Sequence, residues 1–505
     1  MKQEFDYADV QGLVRYGYGK MTRASYALVW VKNVAAAQSW LRSAPVSSAI
    51  EMKPRPSTAL NIAFTAPGLR ALGVSDSVIE GFSHEFRTGM AQESRARQLG
   101  DVERNAPEHW QWGRLAEEPH ALVMFFGEPD AFDAFVGSQT GAAWNEAFEQ
   151  VRWLPTGNLD RFEPFGFADG ISQPKLDWKQ ERAFTKIQLD YTNEAALGEF
   201  VLGYPNEYGK FTDRPLLKTD AASASLLTAE DEPEKKDLGR NGTYLVMRQL
   251  EQDVRTFWQF LHAQSGGDTA EAGKLAAAMV GRTTRGDPLV PVQNEPIPGI
   301  DKKETQNHFT FASDPAGARC PFGAHVRRAN PRNTDFPDRP ASLFKKIITM
   351  LGFGPDGFRD DLMSSVRFHR ILRRGREYGD ELTAEKALAP APPDEQPRGL
   401  YFICLNASIS RQFEFLQNAW MASTKFSGLT DESDPLLGNR SAIPGCPATS
   451  GFTMQADGGL RRRIEGLPQF VTVRGGAYFF LPSLRALHYF AGLGNASAEK
   501  RQAPE

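Results

Sequence analysis

Short apolar runs that lead into stretches of helical periodicity recur along the chain. In the first half, YALVWVKNVAAAQSWL (26–41), ALNIAFTAPGLRALG (59–73) and HALVMFFGEPDAFDAFV (120–136) each predict a strand followed by an amphipathic helix. The second half repeats the arrangement in GTYLVMRQLEQDVRTFWQFL (242–261) and LYFICLNASISRQFEFLQNAWM (400–421). Strands separated by single helices favour an α+β or βαβ architecture.

The two halves open alike, with YALVWV in the first and TYLVMR in the second, although no fixed period relates them. The small, polar and charged segment 216–242 between them is typical of a connecting loop. We therefore predict an N-terminal domain over residues 1–225 and a C-terminal domain over residues 226–505. An insertion at 333–366 contains the apolar stretch SLFKKIITMLGFG, which predicts either a docked helix or a contact surface.

Composition places the chain among globular proteins and argues against several classes of partner. Its 505 residues suit two domains, and 41% hydrophobic with 24% charged residues is an ordinary balance. A net charge of −4 gives no basic field for nucleic acid, and no apolar run reaches the length of about 18 residues that a membrane span needs. The first residues lack a signal-peptide pattern, and three cysteines do not suit a disulfide framework. We expect a cytoplasmic protein without nucleic-acid or membrane partners.

Several familiar catalytic motifs are missing from the sequence. It contains no HExxH motif and no pair of CxxC motifs, which argues against a zinc site. It also lacks the GxSxG motif of hydrolases and the phosphate loop GxxxxGK[ST]. The chemistry must come from another set of residues.

Three segments combine aspartate, histidine or arginine in ways that could serve chemistry. FEPFGFADGISQP (162–174) holds Asp169 in an Asp-Gly pair, which by itself is a common turn. RCPFGAHVRRANPR (319–332) surrounds His325 with four arginines, and any buried arginine there needs an anionic partner. RFHRILRRGREYG (367–379) carries a further run of arginines, which alone is typical of a solvated face.

Taken together, these segments resemble blocks of the dye-decolorizing peroxidase family, in the order in which that family has them. GFADG matches the family's GxxDG motif, and GAHVRRANPR matches its haem-ligand motif. The other matching blocks are DVQGLVRYGYG (9–19), ILRRGREYG (371–379), GLYFICLNASISRQFEF (399–415) and RGGAYFFLPSL (474–484). The resemblance therefore spans nearly the whole chain.

The resemblance implies a fold and a reaction. The fold would be α+β, with two ferredoxin-like domains built on antiparallel sheets. One haem b per chain would bind mainly to the C-terminal domain, with the GxxDG loop reaching over it from the N-terminal domain. The enzyme would reduce hydrogen peroxide by two electrons and then oxidise an aromatic donor, such as a phenol or a dye, in two one-electron steps.

The resemblance also assigns roles to residues of the site. His325 would be the axial ligand of the haem iron and so the metal-binding residue. Asp169 would act as the base that moves a proton between the two peroxide oxygens. Arg373 would stabilise the charge that develops as the O–O bond breaks, with Arg374 as the neighbour most easily mistaken for it. His369 is the competing histidine, since on a helix it would share a face with Arg373.

Four further residues are expected around the haem. Arg332 is the arginine that we favour for the propionates, although its two neighbours in the same block remain alternatives. Leu400 and Phe402 would narrow the distal pocket, since positions two apart on a strand face the same way. Glu414 is the candidate acceptor for the second nitrogen of the axial histidine, a role assigned from its block position only.

Two other functions remain open on the residues alone. A haem-binding protein for transport, storage or iron release would need His325 but neither Asp169 nor Arg373. A haem-free protein that keeps these blocks for structural reasons is the third alternative. The expected partners are hydrogen peroxide and an aromatic reductant; the oligomeric state, including a homo-oligomer, and any tyrosine or tryptophan that relays electrons stay open.

Overall fold

The computed structural model describes residues 5–157, 162–181, 193–292, 302–332, 365–441, 449–456 and 461–502. Most of the 333–366 insertion, including its apolar stretch, lies outside the described residues. Whether that stretch is a docked helix or a contact surface therefore stays open.

The strands of the described residues fall into two groups along the chain. Their bounds are β1 Arg23–Val31, β2 Thr58–Phe64, β3 Ala121–Gly127, β4 Phe148–Pro155, β5 Lys175–Leu176, β6 Glu194–Ala195, β7 Leu216–Lys218, β8 Lys235–Asp237, β9 Thr243–Gln252, β10 Leu372–Arg373, β11 Arg376–Tyr378, β12 Gly399–Asn406, β13 Phe452–Met454, β14 Arg462–Ile464 and β15 Val471–Leu481. The strands β1, β2, β3, β9 and β12 coincide with the apolar runs that the sequence pattern predicted, whereas β4 and β15, the longest strand described, were not predicted.

The α-helices follow the strands as the periodicity predicted. Their bounds are α1 Gly12–Arg15, α2 Val34–Ser43, α3 Ala66–Ala71, α4 Asp76–Ile79, α5 His84–Thr88, α6 Glu93–Leu99, α7 Pro129–Gln139, α8 Ala142–Ala147, α9 Val254–Gln264, α10 Thr269–Val280, α11 Lys302–Asn307, α12 His325–Ala329, α13 Ala384–Ala387 and α14 Leu484–Gln502. Side-chain caps fix where two of them begin: Asn33 accepts from the N–H of Ala36, and Asp253 from the N–H of Thr256. No helix among the described residues is both long and apolar enough to cross a bilayer.

Nine of the described strands form one antiparallel sheet. Its order is β10-β12-β9-β15-β2-β3-β1-β4, with β11 pairing beside β10 along β12. The N-terminal strands β1–β4 and the C-terminal strands meet where Phe64 of β2 pairs with Phe480 of β15. This arrangement confirms the α+β class with antiparallel sheets that was expected for two ferredoxin-like halves.

Both faces of the sheet are covered by core residues. On β1, Ala27 and Val29 point into one apolar cluster, and Tyr26 and Leu28 point into another on the opposite face. Strands buried on both faces are apolar at successive positions. This explains why the strands appear in the sequence as continuous apolar runs.

The segment predicted as a connecting loop has structure of its own. β7 pairs antiparallel with β8, and the buried Arg214 forms ion pairs with Asp231 and Asp237. The prediction of a plain loop was wrong, because charged residues held in ion pairs have the same composition as a solvated linker. The proposed boundary between residues 225 and 226 falls inside this hairpin and stays a prediction.

Candidate functional site

The loop over residues 162–174 is shaped by a buried carboxylate. Glu163 accepts hydrogen bonds from the N–H groups of Phe165 and Phe167 and from the side chain of Gln252 on β9. Burial raises the pKa of Glu163 to about 7, although these donors favour its charged form. Gly170 adopts a φ of 70°, a left-handed conformation that favours glycine. The loop thereby presents Asp169 at a defined place.

Asp169 forms an ion pair with Arg373, as both were expected to lie in one site. Its Oδ1 accepts from Arg373 Nη1 at 2.8 Å and from the Gly170 N–H at 2.6 Å. Asp169 Oδ2 has no hydrogen-bond partner among the described residues. Burial alone would raise the pKa of Asp169, but the Arg373 guanidinium and the Gly170 N–H outweigh burial and hold it below its ordinary value.

Strand register separates Arg373 from its neighbour. Arg373 lies opposite Cys404 on β12, so its side chain shares a face with Phe402 and Leu400, at alternate positions of that strand. Arg374 points the other way, and its guanidinium donates to the carbonyl oxygens of residues 13 and 14. Leu400 and Phe402 are both half-buried, in contrast to the buried Tyr401 between them. The two apolar residues thus lie on the face that carries Arg373, as predicted.

His325 begins α12, and its ring is held by an aspartate that the sequence analysis missed. His325 Nδ1 lies 3.0 Å from Asp434 Oδ2. Asp434 Oδ1 accepts from the N–H groups of Leu436 and Leu437, so the carboxylate is fully used. Burial by itself would lower the pKa of His325, but Asp434 outweighs burial and raises it. A bond at Nδ1 leaves Nε2 of the imidazole available for a metal.

Glu414 does not hold His325, so that expectation was wrong. Its Oε1 forms a buried ion pair with Arg95 and accepts from the hydroxyl of Tyr478 at 2.7 Å. Arg95 comes from α6 in the N-terminal half, so this buried pair joins the two halves of the molecule. The Nδ1 of His325 is already bonded to Asp434, and no hydrogen bond among the described residues joins Glu414 to His325. Asp434, which follows the π-helical segment Leu416–Ala422 in the chain, accepts the hydrogen bond of His325 Nδ1 instead.

The His325–Asp434 pair and the Asp169–Arg373 pair lie near each other. His325, Asp169 and Arg373 keep 28%, 43% and 32% of their side-chain surface accessible, while Asp434 is fully buried. The charges of Arg373 and Asp169 are near enough to His325 to affect its pKa. The accessible parts of the three side chains therefore lie in one region, which we take as the space of the candidate site.

A pair of buried guanidinium groups lies beside this space. Arg332 and Arg282 both lie against the ring of Phe309, with their Cζ atoms 3.7 and 5.3 Å from its centroid. Arg332 donates to the carbonyl oxygens of Asn307 and Phe309. Arg282 Nη1 donates to Gly286 and Gln306 carbonyls, while its buried Nη2 has no hydrogen-bond partner among the described residues.

The charge of Arg282 is not balanced. Burial, with Arg332 and Arg373 nearby, lowers its pKa to about 9. A guanidinium stays protonated in proteins, so this lowered pKa means mainly that burial removes hydration from the cation without full compensation. An anionic group of a ligand at Arg282 Nη2 would supply that compensation. Arg332 was expected to bind such a group, whereas no motif in the sequence pointed to Arg282.

The remaining arginines of the His325 block have other partners. Arg327 pairs with Asp314 at 3.0 Å, and Arg328 donates to the carbonyl oxygens of Trp420, Ser423 and Glu432. These bonds tie α12 to the elements that surround it. Arg332 is likewise bonded, to Asn307 and Phe309, so hydrogen bonding does not separate the three alternatives; Arg332 differs in lying against Phe309 together with Arg282.

His369 takes no part in this site in the way the helical spacing suggested. Residues Ser365–His369 form a short 3₁₀ helix that ends at His369. Arg373 lies beyond it, on β10, so the two residues do not share a helical face. The ring of His369 stacks on Phe415 with a centroid distance of 3.5 Å. Its Nδ1 is bonded to the carbonyl oxygen of Arg411. His369 is therefore a packed structural residue, and His325 remains the candidate ligand.

The residues present suit a haem. The imidazole of His325 offers a free Nε2 to an axial position, and Leu400 with Phe402 provides an apolar face. Arg282 and Arg332 offer buried cations to a pair of carboxylates. Asp169 and Arg373 lie near His325, so they could act on a small oxygen ligand of the iron.

Known proteins resemble this chain in sequence and in fold. The family model for the DyP dimeric alpha+beta barrel domain matches residues 28–149. The dye-decolorizing peroxidase msp1 of Mycetinis scorodonius is 30% identical over 460 residues, which cover 86% of this chain and 76% of that protein. The crystal structure of a fungal DyP-type peroxidase from Auricularia auricula-judae matches with a TM-score of 0.71 and 26% identity, over 97% of this chain and 100% of the other. A dye-decolorizing peroxidase in complex with 2,6-dimethoxyphenol shares the fold, with a TM-score of 0.68 and 24% identity over 96% and 99% of the two chains.

Proposed function

The chain belongs to the dye-decolorizing peroxidase family, and from this premise we propose that His325, Asp169 and Arg373 carry its peroxidase chemistry. The protein is a haem peroxidase that acts on hydrogen peroxide and oxidises dyes or phenols. The chief support for the three roles is proximity: the Asp169–Arg373 ion pair lies near enough to the His325–Asp434 pair for Asp169 and Arg373 to affect the pKa of His325.

The cofactor of the proposal is one haem b per chain. His325 would bind its iron through Nε2, while Arg332 and Arg282 would bind its propionates. Bound haem supplies an iron for peroxide and a store of oxidising equivalents for the donor. The chain's own residues orient the peroxide and move its protons.

Asp169 is the proposed base. Its Oδ1 is held by Arg373 and Gly170, whereas Oδ2 is left to accept the proton of a peroxide oxygen. Returning that proton to the second oxygen converts it into water, the leaving group. Because the neighbouring cation lowers the pKa of Asp169, the carboxylate is present in its basic form at neutral and mildly acidic pH.

Arg373 is the proposed electrostatic partner of the leaving oxygen. Its guanidinium is half-buried and fixed beside Asp169, so a donor already points at the place where negative charge develops. Leu400 and Phe402 on the same sheet face would limit the space to a molecule of about the size of peroxide. They would thereby keep bulky donors away from the distal groups.

On the other side, Asp434 is the proposed acceptor for the His325 ring. A carboxylate at Nδ1 fixes the tautomer and the orientation of the ring and makes Nε2 a stronger donor to iron. The Asp169–Arg373 pair has no use in a protein that only carries haem. This pair therefore favours the peroxidase over the binding protein considered from the sequence.

The proposal also covers the electron donor, the cellular location and the oligomeric state of the enzyme. We infer a phenolic or dye-like donor that delivers electrons at an accessible surface, since Leu400 and Phe402 would keep bulky donors from Asp169 and Arg373. The buried free thiols Cys320 and Cys404 support a cytoplasmic location. A homo-oligomer remains a proposal, to be tested by light scattering.

The experiment that tests the function is peroxide-dependent oxidation of 2,6-dimethoxyphenol by the haem-reconstituted protein. We expect turnover in the wild type and loss of haem binding or of turnover in His325→Ala. His369→Ala is the matched control and should keep a wild-type haem spectrum. A haem-loaded wild type that does not react with hydrogen peroxide would overturn the proposal.

A further inference from the structure

At the sheet edge formed by β10, backbone groups that have no neighbouring strand are bonded by a side chain of the 162–174 loop. β10 is the last strand of the sheet and pairs on one side only, with β12. The N–H of Arg374 donates to Ile403 on that side at 2.7 Å. The N–H and C=O of Arg373 therefore point outward, as backbone groups do at an edge.

Gln173 bonds both of these groups, and Arg374 Nη1 also donates to the C=O of Arg373 at 3.1 Å. The N–H of Arg373 donates to Gln173 Oε1 at 3.0 Å, and Gln173 Nε2 donates to the C=O of Arg373 at 3.2 Å. A carboxamide carries one acceptor and one donor side by side, so it can replace a missing strand. Carboxylates and apolar side chains of similar length cannot make both bonds.

The same glutamine lies four positions after Asp169 in the 162–174 loop. Its own C=O accepts from the side chain of Asn193 at 2.7 Å, which holds the backbone at this position. The side chain of Arg373 returns to the loop through Asp169. Backbone and side chain of one arginine are thus bound to the loop at separate points.

The ion pair by itself would not hold the two residues in place. Both Asp169 and Arg373 are partly accessible, and such pairs contribute little to the fixing of a geometry. The loop and β10 are also 204 residues apart along the chain. The two bonds from Gln173 fix the backbone of Arg373 and therefore the position of its Cα atom. The ion pair at the guanidinium does not fix that position.

We propose that Gln173 is the positioning residue that sets Arg373 against Asp169 in the peroxidase site. The inference rests on the proposed roles of these two residues. Gln173 itself does not contact peroxide; it acts through the backbone of β10. Displacing a catalytic group by about 1 Å can cost about 10²-fold in rate, so we expect an effect of that order when the two bonds from Gln173 are removed.

The test uses Gln173→Met and Gln173→Glu in the full-length, haem-loaded protein. Amide hydrogen exchange is read at Arg373 and Arg374. Methionine removes both bonds, so the Arg373 amide should lose protection, while Arg374 keeps its bond to Ile403. Glutamate keeps the acceptor for the Arg373 N–H and should preserve that protection.

The second readout is the reaction with hydrogen peroxide by stopped flow across pH. Gln173→Met should react about 10²-fold more slowly. Its acidic limb should also move to higher pH, because the displaced Arg373 no longer keeps Asp169 charged. The charged or titratable groups that act on Asp169 are Arg373, His325 and Glu163, and the last two are the same in all variants.

Gln38→Met is the matched control. Gln38 is a buried glutamine of α2 whose side chain donates to the C=O of Leu72, outside the site. This variant can lose stability, but its pH profile and peroxide rate should be those of the wild type.

Three results would overturn the inference. They are unchanged exchange at Arg373 in Gln173→Met, lost protection with an unchanged peroxide rate, and a rate loss that Gln38→Met shares. A wild type inert to peroxide would instead overturn the proposed function. If Gln173→Met does not fold, Gln173→Glu provides the test. Glutamate loses the bond to the C=O of Arg373, so the peroxide reaction should still be slower than in the wild type. A wild-type rate would count against the proposed role of Gln173.

Discussion

The two sides of the candidate site are built differently. On the Asp169 side, a loop touches the edge of a sheet, and Asp169 and Arg373 keep 43% and 32% of their surface accessible. On the His325 side, Asp434 is fully buried and both its oxygens are bonded. Arg440 holds the same loop through the carbonyl oxygens of Asp434 and Pro435.

This difference matches two kinds of task. A group that moves a proton needs a free oxygen and access to a small substrate, which Asp169 Oδ2 has. A group that orients a metal ligand needs the opposite, since any motion of Asp434 would turn the ring of His325. The comparison predicts that changes on the first side alter the peroxide reaction and changes on the second alter the bound haem.

The largest effect should come from Arg373→Met. This change removes the cation next to Asp169 and should slow the peroxide reaction about 10²- to 10³-fold, while the ferric haem spectrum stays close to that of the wild type. Stopped-flow absorption measures the rate. Arg374→Met is the comparison: its guanidinium binds the carbonyl oxygens of residues 13 and 14 and that of Arg373, so we expect a smaller loss than in Arg373→Met. A larger loss in Arg374→Met would reverse the assignment of the two arginines.

The next effect should separate Asp434 from Glu414. Asp434→Asn removes the negative charge at His325 Nδ1, so we expect a higher haem reduction potential and about 10- to 100-fold weaker haem binding. Potentiometry and haem titration measure both quantities.

Glu414→Gln breaks the buried pair with Arg95 and should cost about 3 kcal/mol or more in unfolding free energy. The haem potential should not change, because Glu414 does not contact His325. An altered potential in Glu414→Gln together with a normal one in Asp434→Asn would restore the role that the sequence suggested for Glu414.

How much the sequence could predict follows from these residues. His325, Asp169 and Arg373 each lie within a local motif, so their roles could be proposed before the fold was known. Asp434 lies 109 residues after His325 in a loop without a motif, and only folding brings the two together. Glu414 has a suitable block position, but Arg95, 319 residues away, takes its carboxylate.

The fold shows the same limit. Apolar runs predicted β1, β2, β3, β9 and β12, because burial on both sheet faces requires such runs, while β15 in the middle of the sheet was not predicted. The β7–β8 hairpin was missed, since the charges of Asp231 and Asp237 are used by Arg214 and not by solvent. A local sequence pattern predicts helices and strands. The partner of a charged side chain depends on residues that are distant in the sequence.

A smaller effect is expected from Arg282→Met. The change removes the buried Nη2 proposed for a propionate and should weaken haem binding about 10-fold, the value of one hydrogen bond to a charged group. Arg376→Met is the matched control, because its guanidinium also binds two carbonyl oxygens but lies at the N-terminal block. Equal haem affinity in Arg282→Met and the wild type would remove Arg282 from the cofactor site.

The smallest effect concerns pH. The pKa of Asp169 lies below its ordinary value of about 3.9, so the base is lost only as pH falls through that lowered value. We expect the peroxide rate to be constant from neutral pH down to about 4 and to fall below it. Stopped-flow rates measure this limb, and a limb near neutral pH would point to a different base, such as Glu163.

The central claim is that Asp169 moves the peroxide proton while His325 and Asp434 only hold the haem. Its most direct test is the stopped-flow reaction of equally haem-loaded wild type and Asp169→Asn with one equivalent of hydrogen peroxide. The account predicts matching ferric spectra and a reaction at least about 10²-fold slower in the variant. Equal rates in the two proteins would contradict it.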